Sequence, residues 1–580
     1  MRGWLFVTLA GCSASGRLEM KAEAPLPVTD SGQGEGGDGG GGDGVVPDED
    51  SGGAVPEDAP LEALGAARSD LVFTPAGGTF VGSVTVDIGT TAGGTVRYTT
   101  NGLAPSGSSD AWSAPLTVDA PTTICAFLPP DGEARCETYL PVEGEGIDFT
   151  STLPLLVLHT YRAAPEYTDQ PATPITVTLL EPGESGRTSL VGTATLSSRG
   201  GLEVRGSSSA GFPKRPYSLE LWEGAGGLDR DEPLLGLPAD GDWILYPPYA
   251  FDPSMMRNPF IYDTSNEIGR WAPHTRFVEV FVADEGETVG AEDYVGVYVL
   301  TERIERGSDR VDVQKLAATA LAEPEVSGGY IFKCDRTGAG EYGFYAGDGG
   351  GVFSFGEPFV YVYPGEEIIK AEQASWLSDY IDDAGEAVVA SDHVDPSSGL
   401  HYREIIDVDS FIDHHILNTF VKNPDAFRLS GYFHKDLEGL LVAGPIWDFD
   451  RAIGANYDDR SGDPKWWDAT NYTSDNTYVF EFGWYAGLFE DEEFREAWWD
   501  RYRELLDGPL SVEEMNLRID AYEAELSEAG PRDLARWPEY PARGSWSDEV
   551  ALMRRWLEQR HAWISACVDR RPADPRDCTG

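Results

Sequence analysis

Asp448 and Asp450, two residues apart in the stretch AGPIWDFDRAIG, sit among Trp447, Phe449, Ile446 and Ile453. In an extended segment residues i and i+2 share a face, so both carboxylates would converge while Trp447 and Phe449 pack on the other side. Adjacent anions repel, and burial strengthens the repulsion unless a cation, a basic partner or a shared proton relieves it. The pattern points to a divalent metal or to acid/base chemistry; the plainer alternative is an exposed acidic loop.

Three other stretches carry residues of the right kind. In HHILNTFVKNPDAFRLSGYFHKD a helix runs into Asn423-Pro424-Asp425, where proline helps to stop it. Asp425 is placed there like a loop base or a metal ligand, or as one member of a simple Asn-Pro-Asp turn. In LEVRGSSSAGFPKRPYSLELW, Gly206, Ser207 to Ser209 and Gly211 form a small-residue turn between two strands, with Lys214 just beyond. Such a turn lets backbone N–H groups approach phosphate oxygens while a lysine adds mobile charge, although an ordinary hairpin loop has the same composition. A Walker loop needs Gly-Lys-Ser/Thr before a helix; here Phe-Pro-Lys precedes a strand, which excludes it. Glu302 ends the alternating strand of YVGVYVLTERIERGSDRVDV and is expected to pair with a buried lysine, or with Arg303 or Arg306 at the surface.

An Asp in a loop, a short hairpin and a second Asp is the order in which kinase-like enzymes place the catalytic acid and the magnesium ligand. There is no HRD, DFG or VAIK, so ordinary protein-kinase membership is excluded at the level of motifs. The blocks RGSSSAGFPKRPYSLEL, DWILYPPYAFDPSMMRNPFIYDTSNEIG, RFVEVFV, YVGVYVLTERIE, FVKNPDAFRLSGYFHKD and GPIWDFDRAIG resemble, in order, those of the CotH (spore coat protein H) kinase family. The resemblance implies an α+β, atypical protein-kinase-like two-lobed domain. It further implies transfer of the γ-phosphoryl of ATP, with Mg²⁺ or Mn²⁺, to a Ser or Thr of a protein. Carried onto this chain, it places Lys214 on the nucleotide phosphates with Arg205, Ser207 and Ser208 nearby, and gives Glu302 the role of orienting the lysine. Asp425 becomes the catalytic-loop acid, Asp448 the metal ligand and Asp450 a second ligand or structural acid, while Arg257 is structural or phosphate-facing. Many members carry Asn a few residues after the catalytic-loop Asp; Ser430 stands in that neighbourhood here, which leaves the second metal position open.

These residues need elements to hold them, and the composition supplies enough. The 580 residues are 41% hydrophobic and include 16 Trp, sufficient for a large core and more than one domain. A net charge of -56, from 43 basic and 99 acidic side chains, argues against nonspecific binding to nucleic acid or to an anionic membrane. The segment from Gly146 to Gly580 reads as one α+β domain, with strands such as LPLLVLHTY and RFVEVFVAD first, then helices such as SFIDHHILNTFVKN and EEFREAWWDRYRELL.

Before it, residues 70–143 alternate short apolar strands with turns, as a small β-sandwich does. The stretch VRYTTNGLAPSGSSDAWSAPLTVDAPTTICAF resembles the immunoglobulin-like module found at the C-terminus of chitobiases, usually a spacer or weak binder. Residues 21–69 are rich in Gly, Asp, Glu and Pro and read as a disordered tether. Residues 1–20 begin MRGWLFVTLAGCSAS, with a basic Arg2, a short apolar run and Leu9-Ala10-Gly11-Cys12, which looks like a bacterial lipobox with Cys12 lipidated.

Export agrees with the cysteines: Cys125 with Cys136 and Cys567 with Cys578 are close pairs suited to disulfides, and Cys334 is solitary. The expectation is an exported lipoprotein of the cell envelope, at the outer membrane or cell surface, touching the membrane through its lipid alone. Two rivals stand beside the kinase. One is a noncatalytic surface adhesin on the same scaffold. The other is a glycan-active protein, although carboxylates two residues apart on one strand are too close for the acid and nucleophile of a glycosidase.

Overall fold

The computed structural model describes residues 71–130, 134–165, 172–206, 209–223, 228–284, 286–337, 343–345, 357–365, 367–455, 459–469, 477–539 and 542–578. Cys12, the leader and tether of residues 1–69, and Ser207 and Ser208 lie outside them. Among the described residues no helix is long and apolar enough to cross a membrane. The class is α+β with an all-β region at its start.

That first region is a sandwich of a three-stranded sheet (71–74, 84–90, 116–118) and a five-stranded one (78–80, 97–99, 110–111, 122–127, 135–141). Alternation buries Val86, Ile88, Ile124 and Tyr139 between them. Cys125 and Cys136 face each other across neighbouring strands and are joined by the expected disulfide. The module is docked on the next domain rather than hung from it. The Thr79 N–H donates to Gly192 O at 2.9 Å, Ala194 N–H to Gly77 O at 2.9 Å, and the Arg199 guanidinium to Gly102 O at 3.1 Å. Gly78, at φ +148°, allows this approach, since a Cβ there would fall 2.2 Å from Gly192 O.

The next sheet has eight strands, and strand 196–204 pairs with both 173–180 and 217–223, so seven of them close into a ring. Leu158, Val177, Leu219, Trp243, Val280 and Leu300 form one buried cluster with residues from the other strands of this ring. Helix α1 (Arg257–Glu267) follows strand 242–246 and precedes the antiparallel pair 275–283 and 294–302.

A second, five-stranded antiparallel sheet, ordered 343–344, 359–363, 330–334, 431–435, 441–443, opens the helical half. The helices of this half are α2 (Ala371–Val389), α3 (Val408–Phe420), α4 (Trp484–Leu488), α5 (Glu492–Asp507), α6 (Val512–Leu526), α7 (Ala529–Arg536) and α8 (Trp546–Arg570), of which α3 packs on strand 441–443 and α7 on ring strand 294–302. The two helical stretches expected from apolar spacing correspond to α3 and α5. Their largest shared core is aromatic, with Phe420, Trp498, Trp499, Tyr502 and Trp563 in one buried cluster that also takes in α1 residues Phe260 and Ile261. α1 thus belongs to the helical core while lying, in sequence, among the strands of the ring.

Candidate functional site

Between the ring and the second sheet is a cleft of about 630 Å³. Three loops bring its acids together. α3 starts on Asp407, whose side chain accepts the Ser410 N–H at 2.8 Å, and ends where Lys422 turns left-handed at φ 52°. Asn423 then braces the loop: its amide donates to Asn418 Oδ1 at 3.1 Å and its own oxygen accepts the Asp425 N–H at 3.1 Å. Asp425 is fixed in turn by two guanidinium groups, Arg428 on Oδ1 and Arg451 on Oδ2, each at 2.8 Å. Each carboxylate oxygen keeps a second lone pair for another donor.

Strand 441–443 runs into the loop that carries Asp448 and Asp450, both lining the cleft with Asp425. The expected extended geometry does not occur. Asp448 has φ 65°, in the left-handed region, so the chain turns there. As a result Trp447 lines the cleft beside the acids, and only Phe449 goes into the core. Burial, then the charges of Asp425 and Asp335, push the Asp448 carboxyl up to about 7. Asp450 is raised well above the usual carboxylate range by burial and then by Asp448. Burial is the larger cause at both, and the repulsion anticipated between the two acids enters second, at Asp450. Carboxylates crowded until they favour protons suit a divalent cation, whose charge would remove the penalty.

The cations of the cleft are only partly those expected. Arg205 does line it, with its guanidinium 5.6 Å from the centre of the Trp447 ring. Lys214 does not. It has no exposure; its ammonium donates to Asp533 on α7 at 2.7 Å and to Pro248 O at 3.0 Å. Glu302 is no partner for it: the carboxylate accepts from the backbone N–H of His274 at 2.8 Å and contacts the His274 ring at 2.8 Å. Strand parity takes Glu302 away from the cleft, because Val299 and Thr301 face it and send Leu300 and Glu302 to the other side, while Lys214 lies against the Tyr298 ring, farther back along the same strand. Arg257 is structural, not phosphate-facing: fully buried, it pairs with Asp252 at 2.6 Å and donates to Ala452 O at 2.8 Å and Ile453 O at 3.3 Å.

Lys333 and Asp335, absent from the expected set, line the cleft from the end of strand 330–334, their ammonium and carboxylate 3.6 Å apart. Alternation in YIFKCD already puts them on one face. Arg303, Arg451 and Ser430 also line it. A side cavity of about 300 Å³ shares Arg205, Arg303, Lys333 and Trp447 with the cleft and continues to Tyr361 and Tyr432.

A second acidic group lies outside the cleft. Asp240, Asp242 and Glu305 place carboxylate oxygens within 4.8 Å of one another. Arg310 occupies that cluster, pairing with Asp240 at 2.9 Å and with Glu305, so a guanidinium already supplies the counter-charge. At the C-terminus Cys567 and Cys578 are buried, hydrogen-bonded neighbours that the structure holds as thiols rather than as the anticipated disulfide.

No curated protein matches the chain. Residues 75–137 match the chitobiase/beta-hexosaminidase C-terminal domain, which covers the docked sandwich. The CotH kinase protein model matches residues 202–564, from the ring strand that leads to Arg205 through α8, more than half of the sequence; the chain belongs to the CotH kinase family.

Proposed function

We propose that the chain is an exported, lipid-anchored atypical protein kinase that transfers the ATP γ-phosphoryl group to Ser or Thr of an envelope or extracellular protein. In this reading the closed ring and the helical half are the two lobes, and the nucleotide lies in the cleft between them. The observation that carries it is the convergence of Asp425, Asp448 and Asp450 in one cleft with Arg205 and Lys333.

Asp448 and Asp450 would hold Mg²⁺ or Mn²⁺, which supplies charge neutralisation on the phosphates. Arg205 and Lys333, rather than Lys214, are the side chains placed to share that neutralisation. The base has room toward Tyr361 and Tyr432 in the side cavity. In the transfer step the acceptor hydroxyl oxygen bonds to the γ-phosphorus, the bond to the β–γ bridging oxygen breaks, and ADP leaves. Asp425, aimed by Arg428 and Arg451, orients the hydroxyl and receives its proton on a free lone pair. The anchor would be Cys12.

The test is incubation of purified protein with labelled ATP, Mg²⁺ or Mn²⁺ and candidate envelope proteins, with Asp448→Ala as control. Label transfer that the substitution abolishes while the fold stays intact supports the reading. Transfer that survives it, or no metal-dependent nucleotide binding by the unsubstituted protein, overturns it and leaves noncatalytic surface binding as the use of the scaffold.

A further inference from the structure

The loop bearing Asp448 is held chiefly by one helix. Asn258 and Tyr262 stand four residues apart on α1, hence on one face, and both line the cleft. Asn258 Oδ1 accepts the Phe449 N–H at 2.7 Å, and the Tyr262 hydroxyl accepts the Asp448 N–H at 3.0 Å. Two consecutive amides of the acidic loop therefore end on two side chains of the same helical face. The Tyr262 ring stacks on Trp447, centroids 5.9 Å apart with the planes 20° from parallel, and meets Phe449 edge-on at 6.5 Å. Arg257, the residue before Asn258, grips the far side of the loop through Ala452 O and Ile453 O.

What these contacts hold is a conformation that the backbone does not favour. A residue with a Cβ in the left-handed region loses about 1–2 kcal/mol relative to its usual wells, although Asp tolerates it better than most. At Asp448 that conformation sends Trp447 and the carboxylate into the cleft and Phe449 into the core. Without an acceptor for its N–H, the loop would give up its best reason to stay in this turn.

We infer that Tyr262 and Asn258 are positioning residues: through the amides of Asp448 and Phe449 they fix the direction of the Asp448 carboxylate and so set the affinity of the cleft for a divalent cation. The cation part rests on the reading of the cleft as a kinase site; the holding of the loop does not. α1 holds this loop through hydrogen bonds to its backbone amides rather than through an ion pair.

The experiment compares Tyr262→Phe with the unsubstituted protein in two measurements. The first is amide hydrogen exchange over residues 447–453. The second is calorimetric binding of a nonhydrolysable ATP analogue as Mn²⁺ is titrated. Phenylalanine keeps the stacked ring and deletes only the acceptor, so the melting temperature should change little. Exchange at 448 and 449 should quicken, and the Mn²⁺ concentration for half-saturation should rise about tenfold, the worth of one such hydrogen bond. Asn258→Ala should move both in the same direction. Unchanged exchange overturns the inference outright. Faster exchange with unchanged Mn²⁺ dependence in a protein that binds the analogue overturns the cation part. An unsubstituted protein that binds no Mn²⁺–nucleotide overturns the kinase reading and the cation part with it, while the exchange result still decides whether α1 holds the loop.

Discussion

Lys214 and Asp533 form an ion pair, Nζ to Oδ1 2.7 Å, with neither side chain exposed, that ties the loop before strand 217–223 to helix α7. Asp533 Oδ1 also accepts the Val297 N–H at 2.7 Å, so a strand of the ring, its loop and the late helix meet on one oxygen. Burial lowers the lysine and raises the aspartate from their ordinary values, and each partner's charge opposes that trend. This lysine is a structural staple behind the cleft wall. Removing one member of a buried pair leaves an uncompensated charge and costs roughly 3–5 kcal/mol. Lys214→Met should therefore lower the urea midpoint strongly, and Lys214→Met combined with Asp533→Leu should recover much of the loss. A Lys214→Met protein of normal stability that no longer binds ATP would return the lysine to the phosphates.

Lys214 stands in a Gly- and Ser-rich turn that resembles a phosphate loop, and nothing local announces Asp533, 319 residues away. Long-range partners leave no mark on periodicity. Glu302 failed differently: in YVGVYVLTE nearly every residue is apolar, since both faces of the strand are buried, so alternation could not say which face met the cleft. That Asp425, Asp448 and Arg205 lie at one cleft was legible because each follows a strand or helix whose end has to lie at a loop, and loops are where such residues gather. The fold class was equally plain from strands followed by helices. Closure of the sheet into a ring was not, since the pairing of 196–204 with two partners is a property of register rather than of composition.

Asp425 offers a second test, because it is hydrogen-bonded by Arg428 and Arg451 and has the Arg460 guanidinium 4.0 Å away. Asp425→Asn keeps the size of the side chain and one acceptor oxygen but loses the charge shared by Arg428 and Arg451. If the carboxylate orients and deprotonates the acceptor hydroxyl, kcat should fall by about 10²–10⁴-fold while nucleotide binding changes little. Equal losses in kcat and in nucleotide affinity would instead make Asp425 a ligand of the bound nucleotide or its metal.

The C-terminal thiols carry a third. Cys567 lies in the last turn of α8 and Cys578 just past the short 575–577 turn, which is fastened by the Trp467 indole N–H on Pro575 O at 2.9 Å. Protein recovered from an oxidising compartment should show the two residues in one linked peptide by mass spectrometry, formed by exchange with a small disulfide that leaves as two thiols. Closing so short a loop should add about 3 kcal/mol. Cys334 should stay reduced, because burial pushes its thiol up to about 12 and the thiolate is the reactive form. Recovery of both C-terminal cysteines as free thiols from such a compartment would contradict the pairing.

Lys422, three residues before Asp425, gives a dependence on pH. Its ammonium donates to Asp463 O at 2.8 Å and Lys465 O at 2.9 Å, and burial, followed by the charge of Arg560, lowers it to about 7. The unfolded chain would hold that proton up to about pH 10.4, so between about pH 7 and about pH 10 the unfolded state binds more protons than the native one. Stability contributed by this group must then rise with pH across that window. Glu305, raised to about 8 mainly by burial, works oppositely and loses its contribution as pH climbs toward that value. The two separate by difference: Lys422→Met should lack this rise, so the urea midpoint of the unsubstituted protein should gain on that of the variant from about pH 7 to about pH 10 and keep a constant offset from it below about pH 7. Midpoints that remain parallel across the whole range would mean that Lys422 keeps its ordinary proton affinity and that the carbonyls of Asp463 and Lys465 hold a fully charged ammonium.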